Sequence, residues 1–262
     1  MSGVKIKGSI IKHCRDEFGE IFIADKEGTR SLYFSDGILQ SSIRLDRPGS
    51  IIEDYNQSIM SSLLFLEEPR SVLLIGLGGC SLVHFLLRTF PCCAVDVVEI
   101  RQQVIDLAYE YFLLPRWNPN LRIVHAAGQD FVLQQPEGGR TYDLIIVDAF
   151  DDDGPASALS TASFIDACRA RLTEGGICAM NLWHRPKDDF PRRHAEFREV
   201  FGGNTLKLFP DEQGWNVIVF GFTGPIDSAA LASYRKKART FEQAYDINFP
   251  KYLKYVSWQN FG

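Results

Sequence analysis

The sequence predicts an α/β fold, a Rossmann-like arrangement in which a mostly parallel sheet of seven strands ends in an antiparallel hairpin. A small antiparallel β-domain precedes it at the N-terminus. Three observations lead to this fold class. Short apolar runs with glycine turns fill about the first 46 residues, apolar strands then alternate with helices, and no helix separates the last two apolar runs. We expect the boundary between the domains after residue 48, which gives domains of 1–48 and 49–262.

The first domain is predicted to be an antiparallel meander. Four β-like runs begin at Ser9, Glu20, Arg30 and Ile38. Glycine-containing turns at 19, 27–28 and 36–37 separate them, which is typical of hairpins. A meander of this length is too small for a large independent core, so we expect it to pack on the rest of the chain.

The second domain begins with a helical apolar period over 51–66, which ends before Pro69. Strands and helices then alternate. Strands are predicted at 72–76, 95–99, 121–125, 143–148 and 177–181, and helices at 81–88, 104–112 and 161–172. Continuous apolar strands that alternate with helices indicate a parallel sheet covered on both faces.

The end of the sheet distinguishes between nucleotide-binding folds. Apolar runs at 205–209 and 216–220 are joined by a short polar segment that cannot hold a helix, so they form an antiparallel hairpin. A parallel sheet with this ending is typical of the Rossmann-like methyltransferase fold, and not of nicotinamide dehydrogenases. A helix and an aromatic tail are expected over 226–262.

Composition excludes several classes of function. The 262 residues are 45% hydrophobic and 23% charged, with a net charge of −5, which argues against a general nucleic-acid binder. No apolar run approaches about 18 residues and no secretory signal is present, so we expect a cytoplasmic protein without membrane contact. The histidines and cysteines lack metal-ligand spacing, and we expect no metal. The meander edge and the tail aromatics could build a homodimer interface or pack inward.

A glycine turn follows the first parallel strand and opens a helix. The turn reads Gly76-Leu-Gly78-Gly79, and glycines there let backbone N–H groups approach a ligand. Glu99 ends the second strand, where a carboxylate can accept both ribose hydroxyls. Ser81 replaces the third glycine of the dinucleotide motif, so a nucleoside without a pyrophosphate fits better. We therefore expect an adenosyl sulfonium ligand.

An acidic loop follows the fourth strand. Asp148 directly ends an apolar run, so it should be partly buried beside the ligand crevice, whereas Asp152 and Asp153 are expected to be solvated. A carboxylate at this place can accept the proton of an amine nucleophile. A second one, Asp151, can hold a cationic substrate. The loop therefore favours a diamine or polyamine as substrate.

These motifs resemble the spermidine synthase (polyamine aminopropyltransferase) family, from about residue 33 to 222. The segment with Gln40 is similar to its LDG-x-x-Q-S motif, Glu99 stands in its V-E-I-D, and Asp148-x-x-Asp151-x-x-Gly-Pro155 has the spacing of its D-x-x-D-P-x-G-P loop. The resemblance implies transfer of an aminopropyl group from decarboxylated S-adenosylmethionine to a diamine such as putrescine. It implies Asp148 as base, Asp151 and Pro155 beside the amine, and Gln40 and Glu99 on the donor.

Several family residues are replaced. The aspartate of its G-G-G-D-G-G turn is Gly79, its Y-H-E is Tyr55-Asn-Gln, and its adenine-binding D-G is Ala-Gly128. The resemblance still implies Tyr55 on the substrate side and Gly128 beside the adenine. Asp130 either replaces the lost adenine contact or caps the next helix. The pattern is similar to a divergent spermidine synthase-like branch of the family.

Two other functions stay open at this point. A methyltransferase that uses intact S-adenosylmethionine would keep the sheet, the turn and Glu99, and Gly79 would remove a negative charge near the methionine end. A non-catalytic module that binds a nucleoside or a polyamine would keep the same pocket. Asp148 and Asp151 argue against that module, whereas the lost glutamate of Y-H-E argues for it.

Overall fold

The computed structural model describes residues 6–35, 37–134, 139–151, 154–155, 157–183, 189–210, 216–226 and 231–257. No helix in these segments is long and apolar enough to cross a membrane.

The N-terminal meander is present as a four-stranded antiparallel sheet. Its strands are β1 (Ser9–Asp16), β2 (Gly19–Lys26), β3 (Thr29–Phe34) and β4 (Leu39–Arg44), paired in that order. Its inner side chains, among them Ile21, Leu32 and Ile43, are buried in one cluster with Leu82 and Phe112 of the following part of the chain. The sheet therefore packs on the rest of the molecule, as expected for a meander too small to form its own core. The boundary after residue 48 stays a prediction.

A short helical segment connects the two sheets. Helix α1 (Asp54–Ile59) continues as a 3₁₀ turn (Met60–Leu64), so the predicted run over 51–66 is shorter and tighter than one α-helix. The Ser58 hydroxyl donates to the Tyr55 carbonyl over 2.7 Å. Such local side-chain bonds compete with regular helix bonds, which agrees with the change of geometry here.

The predicted strands and helices of the central part of the chain are all present, and a short helix at 128–133 and two-residue strands at 150–151 and 154–155 occur in addition. In chain order these elements are β5 (Ser71–Ile75), α2 (Ser81–Thr89), β6 (Ala94–Glu99), α3 (Gln102–Tyr111), β7 (Leu121–His125), α4 (Gly128–Leu133), β8 (Tyr142–Val147), β9 (Phe150–Asp151), β10 (Gly154–Pro155), α5 (Ala162–Ala170) and β11 (Leu172–Trp183). The C-terminal elements are α6 (Phe190–Val200), β12 (Thr205–Leu208), β13 (Asn216–Phe222), α7 (Leu231–Tyr245), α8 (Phe249–Tyr255) and β14 (Val256–Ser257).

The main sheet has the order β14-β12-β13-β11-β8-β5-β6-β7. Strands β11, β8, β5, β6 and β7 pair in parallel, and β13 is antiparallel to both β11 and β12. This arrangement is the seven-stranded, mostly parallel sheet with a terminal antiparallel hairpin, and the fold prediction is confirmed. The two-residue strand β14 adds an eighth strand at one edge, which the sequence did not predict.

Both faces of the sheet are covered. Leu74 and Ile146 belong to a cluster with α2, α3 and the N-terminal sheet, whereas Leu73 and Ile145 belong to a second cluster on the opposite face, with α5 and α6. Neighbouring strand residues alternate between the faces, so each apolar run contributes to two cores. The carboxyl ends of β5, β6 and β8 therefore meet at one edge of a rigid sheet.

The C-terminal segment packs inward where it is described. The Tyr252 hydroxyl on α8 donates to Oδ1 of Asp54 at the start of α1 over 2.8 Å, and its ring is fully buried. Asn248 caps α8 by accepting from the Lys251 N–H. The tail aromatics Trp258 and Phe261 lie outside the described residues.

Candidate active site

A cavity of about 460 Å³ lies at the carboxyl ends of β5, β6 and β8, beneath the N-terminal sheet. Its wall brings together seven of the residues singled out from the sequence. These are Gln40, Tyr55, Gly76, Gly78, Glu99, Gly128 and Asp148. Gly79 and Asp130 do not line it, and the side chains of Asp151 and Pro155 lie outside the described part of the structure.

The glycine turn lies directly against the acidic loop. Gly76 has φ +99°, and a Cβ atom there would come within 2.1 Å of the Asp148 carbonyl oxygen. The Gly76 N–H donates to the Val98 carbonyl, and the Asp148 N–H donates to the Ile75 carbonyl, each over 2.9 Å. Only glycine at position 76 allows the turn to lie this close to the Asp148 backbone.

Gly79 does not line the cavity. A Cβ atom at this position would point to the Phe112 ring at 3.0 Å and to the Ser41 hydroxyl at 3.3 Å. Gly78, with φ +50°, lines the cavity instead. Because the buried Phe112 ring fills the space next to position 79, packing favours a glycine there, where the family has an aspartate.

Glu99 is held rigidly at the end of β6. It is 8% exposed; its Oε2 accepts from the Leu77 N–H and its Oε1 from the Arg101 N–H, both over 2.9 Å. Burial raises the pKa of Glu99, and these backbone hydrogen bonds oppose that rise. Each carboxylate oxygen keeps a further lone pair, so the fixed carboxylate can still accept hydroxyl groups from a ligand in the cavity.

The first turn of α4 forms another part of the wall. Ala127, Gly128 and Gln129 line the cavity, whereas Asp130 is exposed and points elsewhere. A Cβ atom at Gly128 would lie 2.5 Å from the Ile75 side chain, so the glycine lets α4 approach β5 closely. Gln129 was not predicted; its side chain is an amide that can both donate to and accept from a purine edge.

Asp148 lies partly buried on the wall, next to Asn181. The Asn181 side-chain amide donates to Oδ1 of Asp148 over 2.9 Å, and Asn181 is 3% exposed. Burial raises the pKa of Asp148 to about 6, although the Asn181 hydrogen bond lowers it in part. Sequence reasoning missed Asn181, which lies next to Asp148 because 177–180 of β11 pair in parallel with 144–147 of β8.

Tyr55 and Gln40 are joined by a hydrogen bond. The Tyr55 hydroxyl donates to the Gln40 carbonyl over 2.5 Å, which ties α1 to β4 at the cavity. Burial and the nearby Asp148 charge raise the pKa of Tyr55 well above its usual value. Tyr55 therefore stays a neutral phenol at physiological pH.

The two residues after Tyr55 have different environments. Asn56 is 2% exposed and lines the cavity. The Gln57 amide donates instead to the Ile51 carbonyl over 2.9 Å, and its oxygen accepts from the Tyr252 hydroxyl over 3.2 Å. Gln57 therefore makes contacts away from the cavity, so its replacement of the family glutamate leaves the wall of this cavity unchanged.

The acidic loop continues into a small hairpin. Strands β9 and β10 pair antiparallel, with Asp151 opposite Gly154 and Phe150 opposite Pro155. Among the described wall residues the charged side chains are Glu99, Arg101 and Asp148, and Arg101 is paired with Asp16. The described wall therefore has a net negative charge, which favours a cationic ligand.

A model of the spermine/spermidine synthase domain matches residues 53–185. The polyamine aminopropyltransferase of Chromobacterium violaceum is 31% identical over 245 residues, which cover 92% of this chain and 90% of that protein. The chain belongs to the spermine/spermidine synthase family. The family resemblance predicted from the motifs is therefore confirmed, and the curated relatives in this family are transferases by name.

Solved structures of this family share the fold. A probable spermidine synthase from Corynebacterium glutamicum superposes with a TM-score of 0.73 at 18% identity, over 89% of this chain and 88% of that chain. A spermidine synthase in complex with the transition-state analogue AdoDATO gives a TM-score of 0.65 at 23% identity, over 86% and 79%. At these identities the likeness extends to the architecture alone.

Proposed function

We propose that the protein is an aminopropyltransferase that moves the aminopropyl group of decarboxylated S-adenosylmethionine to a diamine such as putrescine. The observation that carries the proposal is Asp148, a carboxylate oriented by Asn181 on the wall of the cavity that also contains Glu99 and the glycine turn. The polyamine aminopropyltransferases to which the chain is about 30% identical support the same reaction.

Asp148 supplies what an amine nucleophile requires. An alkylammonium group has a pKa of about 10.4, so freeing its lone pair at pH 7 costs about 4.6 kcal/mol. With a pKa of about 6, Asp148 is mostly ionised at pH 7 and can accept that proton. The amine nitrogen then forms a bond to the aminopropyl carbon while the carbon–sulfur bond breaks. The sulfur leaves as neutral methylthioadenosine, and the product is a secondary ammonium held beside Asp151. Asp148, now a neutral acid, then releases the accepted proton to solvent.

The donor is assigned to the nucleoside side of the cavity. Glu99 accepts hydrogen bonds from the ribose hydroxyls. Backbone groups at Gly76 and Gly78 lie along the sulfonium, and Gln40 lies near the aminopropyl tail. The adenine is assigned to the first turn of α4, where Gln129 can reach its edge next to Gly128. The proposal gives no ligand contact to Gly79 or Asp130, which do not line the cavity.

The acceptor is assigned to the side of Asp148 and Tyr55. Asp151 in the acidic hairpin is its second carboxylate, and Pro155 shapes that hairpin. The partners in this proposal are small molecules only. Cytoplasmic location, a homodimer, and the absence of nucleic-acid contacts stay predictions from the sequence.

Methyl transfer from intact S-adenosylmethionine is the second candidate. The observation that favours it is the turn over 76–79, which carries no carboxylate that would repel the carboxylate of a methionine tail, although Gly79 itself does not line the cavity. Aminopropyl transfer is the stronger proposal, because the acidic balance of the described wall suits a cationic tail and a cationic acceptor.

A product assay separates the two candidates. The protein is incubated with putrescine and, in separate reactions, with decarboxylated or intact S-adenosylmethionine, and products are identified by mass spectrometry. Spermidine and methylthioadenosine in the first reaction are the expected result. S-adenosylhomocysteine from the second reaction alone would replace this proposal with the methyltransferase, and no product from either would favour a binding module.

A further inference from the structure

Arg101 connects the N-terminal sheet to the nucleoside side of the cavity. It follows Glu99 by two residues, precedes α3, and is 5% exposed. Its Nε donates to Oδ2 of Asp16 over 2.9 Å, and its Nη2 donates to Oδ1 of Asp16 over 2.6 Å and to the Gly19 carbonyl over 3.2 Å. Because Asp16 ends β1 and Gly19 begins β2, this one guanidinium holds the whole β1–β2 turn.

The same guanidinium lies against two aromatic rings. Its central carbon is 4.2 Å from the centroid of Phe34 and 5.7 Å from that of Phe18, both within cation–π range. The Phe18 N–H also donates to Oδ1 of Asp16 over 2.9 Å, so the ion pair fixes the backbone that carries this ring. Phe18, Phe34 and Arg101 all line the cavity, and we call the two rings of Phe18 and Phe34 the aromatic wall.

Arg101 connects the aromatic wall to Glu99, the carboxylate to which the ribose hydroxyls are assigned. The backbone N–H of Arg101 donates to Oε1 of Glu99, while its side chain holds Asp16 and the two rings. We propose that Arg101 is a positioning residue that holds the aromatic wall against an adenine nucleoside bound at Glu99. Affinity for the nucleoside therefore depends on the Arg101–Asp16 pair, although that pair makes no bond to the reacting atoms.

Arginine is required at this position by geometry as well as by charge. The two guanidinium nitrogens meet the two Asp16 oxygens as a fork, and the planar group stacks on Phe34 at the same time. A lysine ammonium keeps the charge, but it cannot donate two parallel hydrogen bonds to one carboxylate and has no planar group to lie over a ring. The pair is buried, with 6% of the Arg101 and 9% of the Asp16 side chain exposed, so solvent screens it little.

Nucleoside binding tests the inference directly. It rests on the proposed function only in taking an adenine nucleoside as the ligand, and methylthioadenosine probes that side without a charged tail. Its Kd is measured by calorimetry for the wild type, Arg101→Lys, Asp16→Asn and Phe34→Leu, with unfolding temperatures recorded in parallel. We expect each variant to raise the Kd about tenfold or more. In turnover assays, Arg101→Lys should raise the KM of the donor and leave the KM of the diamine and kcat near wild-type values.

A second arginine–aspartate pair, whose aspartate lies on β6, is the control. Nη1 of Arg140 lies 3.0 Å from Oδ1 of the buried Asp96. Asp96 is near the start of β6, and Glu99 is at its end. Arg140→Lys should reduce stability without changing the Kd, which separates loss of an ion pair from loss of the aromatic wall. Phe34→Leu keeps the Arg101–Asp16 pair, so it tests the ring by itself if the charge variants fold poorly.

Two other outcomes lead to distinct conclusions. If the wild type binds methylthioadenosine and both Arg101→Lys and Phe34→Leu bind it equally well, the positioning role is wrong and the ion pair only joins the two sheets. If the wild type itself does not bind methylthioadenosine, the nucleoside ligand of the proposed function is wrong, and the inference about the aromatic wall is overturned with it.

Discussion

The side-chain amide of Asn181 donates a hydrogen bond to Oδ1 of Asp148 over 2.9 Å, between adjacent parallel strands of the main sheet. Asn181 lies near the end of β11, and Asp148 follows β8 directly. The amide stabilises the ionised form of the carboxylate, against the effect of burial. Burial and this hydrogen bond therefore act in opposite directions on the ionisation of the proposed base, and burial has the larger effect.

The pH dependence of turnover should report on that bond. We expect kcat/KM for the diamine to rise with pH through about 6, because Asp148 accepts a proton only when it is ionised. In Asn181→Ala the opposing hydrogen bond is lost, so the pKa of Asp148 rises and the acidic limb of the profile moves to higher pH. The measurement is kcat/KM between pH 5 and about 9 for both proteins, at constant ionic strength. A limb that stays in place in Asn181→Ala would contradict the assignment of this limb to Asp148.

The same carboxylate should reduce stability at neutral pH. Its pKa in the folded protein, about 6, lies above the usual value of 3.8, so the folded state loses stability as pH rises between these values. We expect Asp148→Asn to raise the free energy of unfolding at pH 7.5 by about 3 kcal/mol, measured by denaturant unfolding, since one pKa unit is about 1.4 kcal/mol. At pH 3.5 the difference should nearly vanish. An equal difference at both pH values would show that burial of the charge is not its cause.

Glu53 is a second carboxylate whose oxygens are buried, and it makes no direct contribution to the proposed reaction. Burial raises its pKa, and the Ser42 and Asn56 side chains offset the rise only in part. We expect Glu53→Gln to raise Tm by a few degrees at pH 7.5, since 1 kcal/mol corresponds to about 2–4 °C at this chain length. The gain should shrink toward pH 4, where Glu53 is protonated.

An exposed glutamate is the control for that prediction. Glu17→Gln removes the same charge from a solvated position, so Tm should stay within about 1 °C of the wild type. Equal shifts for Glu17→Gln and Glu53→Gln would mean that net charge, and not burial, determines the change in Tm.

Gly76 should tolerate no side chain. Gly76→Ala combines a left-handed backbone, which costs about 1–2 kcal/mol, with a Cβ atom 2.1 Å from the Asp148 carbonyl oxygen. Overpacking of this kind adds about 1–3 kcal/mol, so we expect a total loss of about 2–5 kcal/mol in denaturant unfolding. Gly28→Ala is the control, because Gly28 has φ +76° with nothing within 4 Å. Equal losses in the two variants would contradict the close approach of the turn to Asp148.

The elements of the fold could be predicted because their signal is local. Apolar runs of five or six residues determine β5, β6 and β8, and the absence of a helix between 205–209 and 216–220 determines the terminal hairpin. The carboxyl ends of parallel strands meet at one edge, so Glu99 and Asp148 could be assigned to one cavity from their place after apolar runs. The edge strand β14 could not be predicted, because two residues are too few to show a hydrophobic alternation.

Side-chain direction within the site could not be predicted in the same way. Asp130 and Gln129 are neighbours in one helical turn, and the phase of α4 alone decides which of them lines the cavity. Asn181 reaches Asp148 through the register of strands more than 30 residues apart in the chain. Gly79 lies against Phe112 at the end of α3, a contact between parts of the chain that are distant in sequence. Each of these depends on tertiary packing, which no local pattern encodes.

The role of Asp148 as the base is tested most directly by Asp148→Asn. Single-turnover formation of spermidine from putrescine and decarboxylated S-adenosylmethionine is measured for this variant and the wild type, together with the Kd for methylthioadenosine. The amide keeps the shape and still accepts from Asn181, so we expect an unchanged Kd with a rate lower by about 10²–10⁴. A variant that forms spermidine at the wild-type rate would contradict the assignment of Asp148 as the base.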